Sequence, residues 1–251
     1  MKVKLPVRDL KKGGKSWGAS FIDWRKSYVA KEDGIDCITV VYKKDSNSTD
    51  GQMDNGGIEV VFATPKVLPS SKSASFGCKI KYPTTFDFSR GGKTGVGFSI
   101  GKGAASGGRR SDNASSVRIM WRNDGASSLY VYVPKDLHQL DPKLDESAFV
   151  GGWGVEFFRD FFSADTFKRG SWNDVSIKVT LNTFDSDGYP NPDGICSMSV
   201  NGKSASLGGV RWLKSPETIQ SVPMNTFFGG EDWAASKDET VLYSSFWISD
   251  D

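Results

Sequence analysis

The stretch from Ser116 to Tyr132 carries a hydroxyl, two guanidinium groups and two phenols at alternating positions. In Ser116-Val-Arg-Ile-Met-Trp-Arg122, a period of two sends Val117, Ile119 and Trp121 to one face of a strand and Ser116, Arg118, Met120 and Arg122 to the other. After the turn Asn123-Asp-Gly-Ala-Ser127, Leu129, Val131 and Val133 take one face and Tyr130 and Tyr132 the other. If both apolar faces are buried, parity puts the tyrosines beside Arg118, since cross-strand neighbours lie only about 5 Å apart. An Arg can hold a carboxylate through two parallel hydrogen bonds, and a nearby cation lowers a phenol pKa from about 10, easing formation of a tyrosinate base. Such a face suits an acidic sugar. It also matches an ordinary solvated sheet surface, and alternation alone leaves both readings open.

The elements that must position these side chains read as strands. Period-two alternation recurs over Ile38 to Tyr42, Ile58 to Ala63, Phe76 to Tyr82, Val117 to Trp121, Leu129 to Val133, Val175 to Leu181 and Ile195 to Val200. Turn-forming pairs such as Asp187-Gly188 and Asn201-Gly202 separate them, which predicts hairpins in an antiparallel, two-sheet, all-β protein. Apolar spacing permits a few helical turns near Phe21 to Tyr28 and Val155 to Phe162. The 251 residues fit one domain, 1–251, either whole or cut from a longer chain. Gly at 28 and Phe, Tyr and Trp at 16, 7 and 8 suit tight turns and a core filled by rings. Cys37, Cys78 and Cys196 are too scattered for a disulfide framework or a metal site, and are expected as buried thiols.

A more specific signal comes from Lys79-Ile-Lys-Tyr-Pro-Thr-Thr-Phe-Asp-Phe-Ser-Arg-Gly-Gly-Lys93. Together with Ser-x-Arg at Ser116 and Arg118, Tyr-x-Tyr at Tyr130 and Tyr132, Phe227-Phe-Gly-Gly230, Trp233 and a closing aromatic strand through Phe246 and Trp247, it resembles polysaccharide lyase family 14. The resemblance runs from about Lys79 to the C-terminus; residues before about 55 and the stretch Asp136 to Asp165 match nothing in it. It implies a jelly roll of two antiparallel sheets with a cleft on one, lined by Lys93, Ser116, Arg118, Tyr130 and Tyr132. It also implies β-elimination from a polyuronate such as alginate or glucuronan, without a cofactor. That reaction needs a neutralised carboxylate, a base for the C5 proton and an acid for the leaving O4. Arg118 with Lys93 can bind the carboxylate, Tyr130 or Tyr132 can serve as base and acid, and Ser116 can orient the substrate. Lys93, its pKa lowered beside Arg118, is the rival base. Lys79, Lys81 and Arg122 are candidate substrate-binding cations, the two lysines extending a basic floor.

Other chemistries are poorly served. Gly91-Gly-Lys-Thr94 imitates the end of a phosphate-binding loop, but the first glycine of that motif falls on Asp87. The single histidine, His138, argues against Ser-His catalysis and multi-histidine zinc sites. Asp185 to Asp193 is oxygen-rich but reads as a turn, and no paired-carboxylate strand of a jelly-roll glycoside hydrolase is present. A non-catalytic carbohydrate-binding module is the alternative function on the same fold. With 32 Lys and Arg against 30 Asp and Glu, the net charge of +2 gives no bulk attraction for nucleic acid. No segment approaches the roughly 18 apolar residues of a membrane helix. The expected partner is an anionic polysaccharide, met outside the cell by a monomer that is exported without a standard signal or is associated with a virus.

Overall fold

The computed structural model describes residues 2–24, 27–47, 57–63, 71–229 and 233–250, and of 59–63 the backbone only. Alternating sequence becomes two antiparallel sheets packed face to face. The first, here the site sheet, runs edge to edge through Val155–Phe157, Ser127–Tyr132, Ala114–Trp121, Gly92–Gly101, Ile219–Phe228, Ile58–Ala63 and Ala19–Ile22. The second, the back sheet, runs through Lys203–Val210, Gly194–Val200, Trp172–Thr180, Ser73–Lys81, Glu239–Asp250, Ile35–Tyr42 and Ser27–Glu32. The long strand Glu239–Asp250 pairs Ile35–Tyr42 along its first half and Lys2–Leu5 along its second. The chain crosses between sheets after Ser73–Lys81 and again on either side of Ile219–Phe228, giving a double-sheet jelly roll.

Between the sheets the inward residues of each strand close the core. Val117, Ile119 and Trp121 from the site sheet and Phe76, Cys78 and Ile80 from the back sheet are all buried in it. Directly under the middle of the site sheet the packing is aromatic: Trp121 meets Tyr82, Phe86 and Phe228 at ring separations of 6.2, 6.1 and 5.3 Å. Rings of this size, edge to face and without access to water, make a stiff floor for the strands above. The three cysteines are buried and unpaired.

Two regions depart from expectation. Residues 19–22 and 27–32 are strands, and Val155–Phe157 is the edge strand of the site sheet; none is helical. None carries a clear apolar alternation, and pairing with a neighbouring strand decides its form. Among the described residues the α-helix is instead the five-residue Val7–Lys11, whose Val7 and Leu10 are buried. Asn201 and Gly202 both take positive φ, as a two-residue hairpin needs, and Asp185 folds its loop by accepting from the N–H groups of Asp187 and Tyr189. Among the described residues no helix is long and apolar enough to cross a membrane.

Candidate active site

The outer face of the site sheet carries a grid of side chains set by strand register. In one row Glu156, Tyr130, Arg118 and Gly97 are direct cross-strand neighbours. The next row holds Tyr132, Ser116 and Ser99, and on the other side lies a row of Ser128, Met120, Lys93 and Phe227. Lys93 reaches this grid through a bulge, where Gly95 takes φ 85° and the pairing of Gly92–Gly101 with Ala114–Trp121 shifts between Arg118 and Met120. Thr94 pins the bulge by donating from its hydroxyl to the Ile119 carbonyl at 2.8 Å.

Arg118 is only 8% exposed, and its guanidinium donates to the carbonyls of Phe98 at 3.1 Å and Val117 at 3.3 Å. The row leaves it space because Gly97 has no side chain; a Cβ there would lie 2.8 Å from Arg118 Cδ. Arg122 is buried as well, donating from Nε and Nη2 to the two Glu156 oxygens at 2.9 and 3.1 Å, with Trp233 5.6 Å away. Ser116 donates to the Ala105 carbonyl at 2.5 Å.

Lys93 sits over the Phe227 ring at 4.8 Å. Burial, and then the repulsion of Arg118 and Arg122, lowers its pKa to about 7. Tyr130 goes the other way. Burial, and then the neighbouring Tyr132, pushes Tyr130 well above the usual phenol range, outweighing Arg122 and the Gly154 N–H. The expectation that a cation would ease tyrosinate formation therefore fails at Tyr130: desolvation is the larger effect there. The two rings stand edge to face at 5.5 Å. Each phenol oxygen accepts a backbone N–H, Tyr130 from Gly154 at 2.9 Å and Tyr132 from Gly108 at 3.4 Å, and the two phenols are hydrogen-bonded to each other.

Lys93, Ser116, Arg118, Arg122, Tyr130 and Tyr132 thus share one face, while Lys79 and Lys81 do not join them. Their strand, Ser73–Lys81, belongs to the back sheet and turns Phe76, Cys78 and Ile80 into the core, so the lysines project on the far side of the molecule. There Lys81 pairs with Glu32 at 2.6 Å and Lys79 lies 3.6 Å from Asp174. The basic floor does not extend to them. His138 is exposed and its carbonyl accepts from Arg211. Among the described residues no group of three or more His, Cys, Asp or Glu is placed to hold a metal ion. Gly230 of the Phe-Phe-Gly-Gly motif lies outside the described residues.

Sequence reasoning missed Glu156, Gly154 and Gly108. Glu156 holds Arg122, and the two glycines hold the phenols. A Cβ on Gly154 would stand 2.7 Å from Tyr132 Cε2, so only glycine lets this backbone lie against that ring. The alternation Val155-Glu-Phe157 was the available signal, and three residues do not distinguish a strand from a helical turn.

The family model for polysaccharide lyase 14 matches residues 30–246. The match takes in the 136–165 stretch and begins well before residue 55, beyond the motifs legible by eye. No curated protein matches the chain. Among solved structures, the alginate lyase vAL-1 from Chlorella virus is similar at 34% identity and a TM-score of 0.89, covering 99% of each chain. The marine PL-14 alginate lyase from Aplysia kurodai shares the fold at 19% identity and a TM-score of 0.79, covering 100% of this chain and 98% of that one. An alginate lyase, Aly36B, in complex with an alginate tetrasaccharide shares it at 21% identity and a TM-score of 0.72, with 99% and 93% covered.

Proposed function

The chain belongs to the polysaccharide lyase 14 family, and we propose that it cleaves a polyuronate, alginate in the first place, by β-elimination on the outer face of the site sheet. The observation that carries this reading is the convergence of Lys93, Arg118 and Arg122 with two phenols, each anchored by a backbone N–H. Glu156, an acid on this face, is engaged by Arg122, and the buried Arg118 guanidinium beside Lys93 favours a carboxylate ligand.

In this scheme Arg118 meets the C6 carboxylate and stabilises the negative charge that develops on it as the C5 proton leaves. Lys93, with a pKa of about 7, holds a free amine in a large fraction of molecules at neutral pH and takes that proton. The Tyr130 and Tyr132 pair, its phenols kept protonated at Tyr130 by burial, supplies the proton to the leaving O4. Electrons move from the C5–H bond into the C4–C5 double bond as the C4–O4 bond breaks, so one sugar ends unsaturated and the other gains a hydroxyl. Ser116, tied to Ala105, orients the substrate from the next row. A polymeric substrate places the enzyme where polysaccharide is exposed, outside the cell.

The dependence on the carboxylate is directly testable. Alginate and glucuronan should be cut to unsaturated products, and the same polymers with their carboxyl groups reduced to alcohols should not. Equal cleavage of the reduced polymers would overturn the role given to Arg118.

A further inference from the structure

We propose that Trp153 is a stacking platform for a pyranose ring of the polymer, next to the sugar whose bond is broken; this rests on the lyase reading above. Trp153 is 57% exposed, and its neighbour Val150 is 77% exposed, so an apolar patch stands open at the rim of a polar face. A tryptophan that served only packing would be largely buried. Glycines line one side of the indole: a Cβ on Gly151 would lie 3.2 Å from its Cδ1, and one on Gly108 3.9 Å from its Cη2.

The backbone that carries this ring is tied to the chemistry. Gly154, one residue on, donates to Tyr130 and lies against the Tyr132 ring. Gly152, one residue back, lies so close to the Gly107–Gly108 tip that a Cβ would fall 2.2 Å from the Gly108 carbonyl oxygen, and Gly108 donates to Tyr132. Gly151 and Gly152 both take positive φ, at 63° and 77°, which turns the chain sharply before the clamp. The backbone on both sides of the indole is therefore tied to the two phenols, while 57% of Trp153 is exposed. A pyranose ring has an apolar C–H face and a polar edge. Stacking that face on the indole leaves its carboxylate and hydroxyls free for the grid and for solvent, and the tied backbone beside the ring limits the entropic cost of positioning the chain.

The test compares W153A and W153F with the wild type, using alginate polymer and following unsaturated product. W153A is expected to raise KM roughly 5- to 10-fold, with the loss in kcat/KM carried by KM, and W153F to recover most of it. The pH profile should keep its shape, because the Gly154 clamp is backbone. An unchanged KM in W153A would overturn the platform. So would a fall in kcat at constant KM, which would mean that the residue acts through Gly154 on the phenols. Equal losses in W153A and W153F would assign the effect to the indole N–H and overturn stacking. If the wild type gives no unsaturated product on any polyuronate, the lyase reading fails instead. Calorimetric titration of wild type and W153A with alginate then decides the platform alone, and equal affinities would overturn it.

Discussion

In the proposed elimination, Lys93 and Arg118 divide the work by how each is solvated. Arg118 keeps its charge because a guanidinium cannot be deprotonated, and it lies against backbone carbonyls that fix it. Lys93 can lose its proton because burial and two neighbouring guanidinium groups all penalise the charged form. As the base must be neutral, kcat/KM should fall as pH drops below about 7. R122M removes one of the repelling cations, so that limb should move to higher pH; a limb that stays in place would separate it from Lys93. Stability gives an independent reading. A lysine titrating near 7 in the fold but near 10.5 when unfolded binds more protons in the unfolded state between those values, so folding stability should rise with pH across that window. Thermal melts of wild type and K93M at stepped pH should show this rise in the wild type and its reduction in the variant. R118A and R118K should each lose on the order of 100-fold or more in kcat, since one preorganised donor at a developing oxyanion contributes about that much and a lysine cannot reproduce the fork.

At the scale of elements, the edge strand Val155–Phe157 and the turn before it hold the functional face in register. Gly154 to Ala should cost about 1–3 kcal/mol in stability, the usual effect of overpacking, because its Cβ falls 2.7 Å from Tyr132. Denaturant titration measures that, and kcat should fall with it as the phenols are displaced. What was legible in the sequence follows from strand geometry. Val117, Ile119 and Trp121 against Arg118, and Leu129 and Val131 against the tyrosines, fix parity across a hairpin, and the register places Arg118 opposite Tyr130. Alternation says which side of a strand is polar, however, and not which sheet the strand joins. Lys79 and Lys81 have the right parity in the wrong sheet. Glu156 and Gly154 were hidden for a different reason: their roles come from a long-range edge pairing that leaves no period in three residues.

For the whole molecule, two sheets packed over one aromatic core give two outer faces with different tasks. The back face carries Lys79 and Lys81 in exposed or half-buried ion pairs, which contribute little to stability. K79A/K81A should leave KM for alginate within about twofold, whereas a basic floor reaching these lysines would raise it several-fold. The front face is where charge and phenols converge, and it keeps its place because Trp121 and its neighbouring rings hold the strands beneath it. The family match over residues 30–246 and the likeness to vAL-1 over 99% of the chain take in both sheets. The most direct test of elimination on that face is the stoichiometry of the products from alginate. Ultraviolet absorbance counts the double bonds conjugated to carboxylates, and a reducing-sugar assay counts the chain ends. One new unsaturated end for every new reducing end is the predicted result; reducing ends that accumulate without absorbance would show hydrolysis and contradict the mechanism.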